Sequence, residues 1–300
     1  GAGGWVTPAC AAVAAVLLIL ASLAIKQMKG KGAWALVMTA AALAGVALHT
    51  GMPGPPTGMR MAAAGAAGVT VLSACIPMLD RDRPLVAGPV LVGVAMMVTG
   101  LGTQALGYQL APALVSATAA GVSLMTPWLA LASVPVTISL PDQPEGYHRA
   151  EDEGPIKAAL TSRILNMHGL VLSVRIACSV IVLASVPSLA SVGYDGVALV
   201  AAIAVAAMLS TRAVRSRADV TAGVVGGMLI LATLVLVIVL SRANFIMPMA
   251  VLVGVVGVVV LILNVLGPSY RPRLARVTDV IEILVLLFIA PLAALVIGVL

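Results

Sequence analysis

The chain has 300 residues, 61% of them hydrophobic and only 9% charged, with a net charge of +6 and a mean hydropathy of +1.15. A soluble domain carries roughly 25% charged residues, so this composition leaves too little polar surface to face water and points to an all-α, polytopic transmembrane helical bundle. The apolar runs are continuous rather than short and alternating, which excludes a transmembrane β-barrel, and in such a protein a basic excess reports cytoplasmic loops rather than nucleic acid.

A membrane span takes about 20 apolar residues, with roughly 17–25 tolerated. Read for that length, the chain predicts ten spans. The first five run approximately Trp5–Ile25, Ala33–Leu48, Met61–Leu79, Leu85–Gly107 and Leu110–Ala132. The break between the fourth and fifth rests on Gly107-Tyr108-Gln109 and Pro112. Next comes the one long polar stretch, Pro141 to Gly169, which holds Asp142, Glu145, Glu151, Asp152 and Glu153. A polar stretch of this length cannot lie in hydrocarbon, because its backbone and charges would lack partners there. The remaining spans run Gly169–Ser188, Gly196–Ser210, Val220–Ser241, Ile246–Leu266 and Thr278–Leu300. The expected organisation is therefore a first membrane half over residues 1–140, a cytoplasmic polar segment over 141–168 and a second half over 169–300.

Charge sets the sidedness. Lys26, Lys29 and Lys31 follow span one, and Arg81 and Arg83 follow span three. Arg149, Lys157 and Arg163 lie in the polar segment. Arg212, Arg215 and Arg217 follow span seven, and Arg271, Arg273 and Arg276 follow span nine. With ten spans all of these fall on one side, and only Arg60 and Arg242 on the other. The positive-inside rule makes the rich side cytoplasmic. Residue 1 and Leu300 then lie outside, and a further span upstream is expected, eleven in the full protein. Trp5, Tyr108 and Tyr194 fall near predicted outer ends, and Trp34 and Tyr270 near inner ones.

Small residues crowd the spans. Gly223 and Gly227 form a GxxxG, Ala41 and Gly45 a small-xxx-small pair, and residues 62–68 include only Ala and Gly. These are candidate helix-packing faces, within the chain or between subunits.

Residues able to carry chemistry are few. Arg175 is the one clear intrusion into a span, placed to snorkel back to the surface or to form a structural ion pair. His49, His148 and His168 fall on predicted loops and form no site by spacing. Cys10, Cys75 and Cys178 lie singly in apolar runs and read as small packing residues. Asp80-Arg81-Asp82-Arg83 lacks the clustered carboxylates that would hold a diphosphate through metal. No nucleotide loop, nucleophile elbow or zinc motif is present. The sequence reads as non-enzymatic, without catalytic, metal or cofactor residues. Asp279 and Glu282 open the last span, where carboxylates favour the helix dipole and face Arg271, Arg273 and Arg276. That group is a candidate docking surface for a cytoplasmic partner.

The last stretch carries a resemblance. Gly267-Pro268-Ser269-Tyr270-Arg271-Pro272-Arg273, then Arg276, Asp279, Glu282 and Pro291-Leu292, resembles the carboxy-terminal pattern of EccD, the polytopic subunit of mycobacterial-type type VII secretion systems. Leu140-Pro141 at the start of the polar segment is similar to that family. So is Met208-Leu209-Ser210-Thr211-Arg212 with Arg215-Ser216-Arg217, which makes Arg212, Arg215 and Arg217 further partner-interface candidates. The resemblance implies eleven spans preceded by a cytoplasmic ubiquitin-like domain. It implies a structural subunit of the inner (cytoplasmic) membrane that pairs with itself, encloses lipid and contacts other membrane subunits, including an ATPase. The alternative reading is a secondary transporter built on a 5+5 inverted repeat.

Overall fold

The structure is a computed structural model, and it describes residues 9, 11, 13, 16, 17, 20, 33–52, 56–76, 83–132, 153–210, 217–241 and 271–297. Among them there is no strand. Eight helices follow one another: α1 (Ala33–Gly51), α2 (Thr57–Cys75), α3 (Arg83–Ala105), α4 (Leu110–Ala132), α5 (Glu153–Val192), α6 (Tyr194–Leu209), α7 (Arg217–Ser241) and α8 (Arg271–Ile297). Thr57–Cys75, Pro84–Ala105, Asn166–Val192 and Ala218–Leu240 are each long and apolar enough to cross a membrane. Shorter apolar helices cover Ala35–Gly51, Leu110–Thr126, Tyr194–Leu209 and Ile283–Ile297. The described residues of the first predicted span, Ala9 to Leu20, are helical. The ninth predicted span lies outside the described residues.

Several predicted boundaries move, and α8 begins at Arg271 rather than Thr278, so that Arg271, Arg273 and Arg276 lie on a helix and not on a loop. The third span starts at Thr57 rather than Met61 and ends at Cys75, because Pro56 suits the position just ahead of a helix. The polar segment is not all loop: α5 begins at Glu153 and runs unbroken into the membrane-length stretch. Pro155 falls in the first turn of that helix, where the backbone N–H that proline lacks is one no helix bond needs. His168 therefore sits within a helix, not on a loop, and His49 lies in the last turn of α1. His148 is outside the described residues.

The turns are made where glycine permits them. Gly107, between α3 and α4, has φ 97°, and Gly193, the single residue between α5 and α6, has φ 135°. Side chains with a Cβ rarely adopt that backbone region. Next to the first turn, the hydroxyls of Thr57 and Tyr108 meet, tying it to the start of α2.

Close contacts give the relative directions. Gly45 packs on Ala64 and Gly68 on Ala41, so α1 and α2 are antiparallel. Gly58 meets Gly100 and Gly65 meets Gly93, so α2 and α3 are antiparallel as well. Gly88 meets Ser173 while Gly169 meets Pro84 and Leu85, which makes α3 and α5 parallel. Arg175 reaches Asp219 and Ser179 reaches Gly226, which makes α5 and α7 parallel. The starts of α1, α3, α5 and α7 thus share one side of the bundle. Those starts follow Lys26–Lys31, Arg81, the polar segment and Arg212–Arg215 in the chain.

The α2–α3 contact is the tightest of these. Gly58 and Gly65 are two turns apart on α2, and Gly93 and Gly100 are two turns apart on α3, so both pairs recur on one seam. A Cβ on Gly65 would stand 2.5 Å from the Gly93 carbonyl oxygen, and a Cβ on Gly100 would stand 2.5 Å from the Ala62 nitrogen. In lipid, where burying apolar surface gives helices no advantage, such close backbone approach is a main source of association.

Two apolar cores result. The smaller joins α1, α2 and α3 through Val37, Ala41, Leu72, Cys75 and Val86. The larger includes Leu189, Leu199, Val200, Ile230 and Leu234, together with Ala113 and Ala120 of α4 and Ile289 and Ala293 of α8. The fifth predicted span therefore packs with the elements that follow the polar segment. Helix α5 is central, touching α3, α4, α6 and α7.

Candidate functional site

Three features stand out: the joint between α3 and α5, an apolar groove beside it, and a buried charge cluster where the middle of α5 meets the start of α7.

The joint begins with Pro89. A proline has no N–H, so it leaves the carbonyl of Leu85, four residues back in α3, without its helical partner. The Ser173 hydroxyl of α5 donates to that carbonyl at 2.8 Å. The Gly88 N–H in turn donates to Ser173 Oγ at 2.9 Å. A Cβ at Gly88 would collide with the Ser173 backbone, so glycine is what lets the two helices close this far. Replacing Ser173 with alanine orphans the Leu85 carbonyl and takes one acceptor from the Gly88 N–H. An unsatisfied buried group costs about 1–3 kcal/mol, so Ser173→Ala should lower the midpoint of denaturant unfolding in detergent by that amount, whereas Ser191→Ala, at an exposed position, should change it little.

The groove lies between α1, α2, α3 and α5 and has a volume of ≈ 940 Å³. Its wall is made by side chains such as Met38, Val46, Met61, Leu72, Val92 and Val180. The polar side chains on it are His49, near the end of α1, and Ser173, already bonded to α3. Ala41 and Gly45 line it where they pack on α2. A surface of this kind can hold hydrocarbon and has little to offer a polar solute.

The charge cluster holds the groups that are least at home in a bundle. Asp219 is 1% exposed and Arg175 2%. Asp219 lies in the first turn of α7, where the helix dipole favours negative charge. Its Oδ2 stands 3.2 Å from Nδ1 of His168, whose side chain is 39% exposed. Arg175 Nη1 donates to the Asp219 backbone carbonyl at 3.5 Å. Arg175 thus points into the α5–α7 contact and does not snorkel: its stem is enclosed by packed helices rather than by lipid. Sequence reasoning did not single out Asp219, which reads as an ordinary helix-start acid. A signal was available, since it is the lone carboxylate at the start of span eight. Among the described residues no group of His, Cys, Asp and Glu could hold a metal ion.

Gly227 packs against Ala204 and Met208 of α6, where a Cβ would clash, and Gly223 is buried one turn earlier. Arg271, Arg273, Arg276, Asp279 and Glu282 all lie in the first half of α8. Arg217 is the first residue of α7. Arg212 and Arg215 lie outside the described residues.

A family model described as the EccD-like transmembrane domain matches residues 1–300. Among solved structures, protomer 1 of the ESX-3 core complex has a similar fold, with a TM-score of 0.69 at 20% identity, covering 95% of this chain and 67% of that one. No curated protein matches the chain.

Proposed function

This chain belongs to the EccD-like transmembrane domain family, and from that premise we propose that it is a non-enzymatic, structural subunit of a type VII protein-secretion complex in the inner (cytoplasmic) membrane. It scaffolds the export machinery, pairs with a second copy, contacts other membrane subunits including an ATPase, and encloses lipid. The observation that carries the reading is the family match over the full 300 residues. The likeness in fold to a protomer of a core complex agrees with it. The groove between α1, α2, α3 and α5 supports the lipid part, because its wall is apolar almost throughout.

Purification from native membranes in mild detergent tests the assignment. A large complex containing an ATPase and two copies of this chain is the expected result. A lone monomer or dimer that binds a small solute would return the secondary-transporter reading.

The docking surface is the start of α8. Exposed ion pairs contribute only about 0–1 kcal/mol each, whereas truncating one member of a buried interfacial charge pair costs about 2–5 kcal/mol. Arg273→Ala with Arg276→Ala is therefore expected to leave the protein inserted and abundant while reducing the fraction that runs in the large complex on a native gel. An equal fall in membrane level and in complex would assign the arginines to insertion instead.

The basic side of the bundle faces the cytoplasm. This is supported by the charge bias and by the common starting side of α1, α3, α5 and α7. A single cysteine at Glu151 should resist impermeant thiol reagents in intact cells, and ready labelling there would invert the topology.

A further inference from the structure

We propose that the groove between α1, α2, α3 and α5 seats the acyl chains of one anionic glycerophospholipid, whose phosphate is held at the groove mouth by Arg60 and His49. This deepens the lipid-enclosing role given above. It rests on the chain being embedded in a membrane and not on its assembly with partners.

Helix register brings the two residues together. Gly45 meets Ala64 and Gly68 meets Ala41. Both pairs obey one antiparallel register, in which each step toward the end of α1 is matched by a step back toward the start of α2. One turn from the first pair, Gly45 gives way to His49 and Ala64 to Arg60, so these residues stand opposite each other across the seam. His49 lines the groove, as does Met61, the neighbour of Arg60. Leu72 and Leu85 lie toward its other end.

The mouth carries charge that the walls do not balance. An arginine stays cationic in a protein. Helices α1, α2 and α3 contain no Asp or Glu, and neither does the stretch of α5 that lines the groove, Leu172 to Val180. Arg60 is partly buried, and its Nε has no hydrogen-bond partner. A guanidinium in this state suits a phosphate, which takes its fork of donors two bonds at a time. His49 is exposed in the last turn of α1 and adds a ring N–H donor.

The groove behind the mouth has the length of one leaflet. Its wall runs from Met38 to His49 on α1 and from Met61 to Leu72 on α2, about three turns each. At about 1.5 Å per residue this is roughly 16 Å, close to half of a hydrocarbon core about 30 Å thick. Acyl chains laid along it therefore end near the membrane midplane when the phosphate is at Arg60. The volume of ≈ 940 Å³ stands at the upper end of the range for ligand pockets, about 300–1,000 Å³. Ser173, the polar side chain away from the mouth, has its hydroxyl bonded to α3 and leaves the chains an apolar bed.

The test titrates phosphatidylglycerol, and separately diacylglycerol with the same acyl chains, into the delipidated full-length protein in detergent. Bound lipid is read by native mass spectrometry. Phosphatidylglycerol should bind at least about tenfold more tightly, since a hydrogen bond to a charged group supplies that much. Arg60→Gln should abolish the preference while diacylglycerol still binds, which also shows the variant to be folded, and Arg60→Lys should keep most of it. Ala42 lines the groove at an exposed position, so Ala42→Trp should fill the groove and weaken both lipids. Excess glycerol phosphate, which has the anion without the chains, should not displace phosphatidylglycerol. Equal affinity of the parent protein for the two lipids would overturn the proposal, as would a preference that survives Arg60→Gln. Loss of both lipids in Arg60→Gln would make Arg60 a packing residue and overturn it as well. Undiminished binding in Ala42→Trp would place the lipid elsewhere, and displacement by glycerol phosphate would make this a site for free phosphate. None of these failures bears on whether the protein assembles into a large complex, which the native-membrane purification decides.

Discussion

Replacing Asp219 with leucine is expected to destabilise the protein by about 3–5 kcal/mol, the range for removing one partner of a buried pair. Arg175 is 2% exposed and cannot reach water to compensate for losing its counter-ion. Its single hydrogen bond, to the residue-219 carbonyl, survives the substitution but does not neutralise the charge. The cost therefore lies in the stranded guanidinium rather than in a lost contact. It follows that Arg175→Met on top of Asp219→Leu should recover most of the loss, because an apolar pair of similar volume suits the interior at least as well as an ion pair. Unfolding of the four proteins of this cycle in mixed micelles measures the coupling directly. A single variant within about 0.5 kcal/mol of the parent, the usual range for a neutral surface change, would mean that the cluster is solvated after all.

The second large effect is expected at Gly100. A leucine there would drive its Cβ into the Gly58 carbonyl and the Ala62 nitrogen. These are backbone atoms, so no rotamer change relieves the clash and α2 must move away from α3. Overpacking typically costs about 1–3 kcal/mol, and more when the obstacle cannot yield. The shift would also open the neighbouring Gly65–Gly93 contact on the same seam. Gly121→Leu is the control: nothing lies within 4 Å of a Cβ at Gly121, so its unfolding midpoint should hold or rise slightly, since leucine is the better helix former. Equal stability of the two variants would show that the α2–α3 seam is not close-packed.

Much of this protein was legible in one dimension. Hydropathy located α1 to α8 because a span must satisfy its backbone internally and present hydrocarbon over a set length. That demand acts residue by residue along the chain. The break at Gly107 was legible for a similar reason, since the chain must reverse there. The common side of the basic loops could be read from arginine and lysine positions alone, and the starts of α1, α3, α5 and α7 agree with it. The carboxy-terminal Arg, Asp, Glu and Pro-Leu pattern identified the family before any contact was known.

Partner choice was not legible. Helix α4 precedes the polar segment yet packs with α5, α6 and α8, because lipid-facing and helix-facing apolar residues look alike in composition. The register of Gly58 and Gly65 against Gly93 and Gly100 needed two helices side by side, although the two-turn spacing on each was open to view. Ser173 looked like any serine until the carbonyl freed by Pro89 lay opposite it. Asp219, His168 and Arg175 were three separate residues whose burial depends on how α5 and α7 meet. Hydropathy, helix length and loop charge are properties of single segments, and the sequence by itself determined them. Close approach, satisfied carbonyls and buried charge are properties of pairs of segments, and only the tertiary structure decided those.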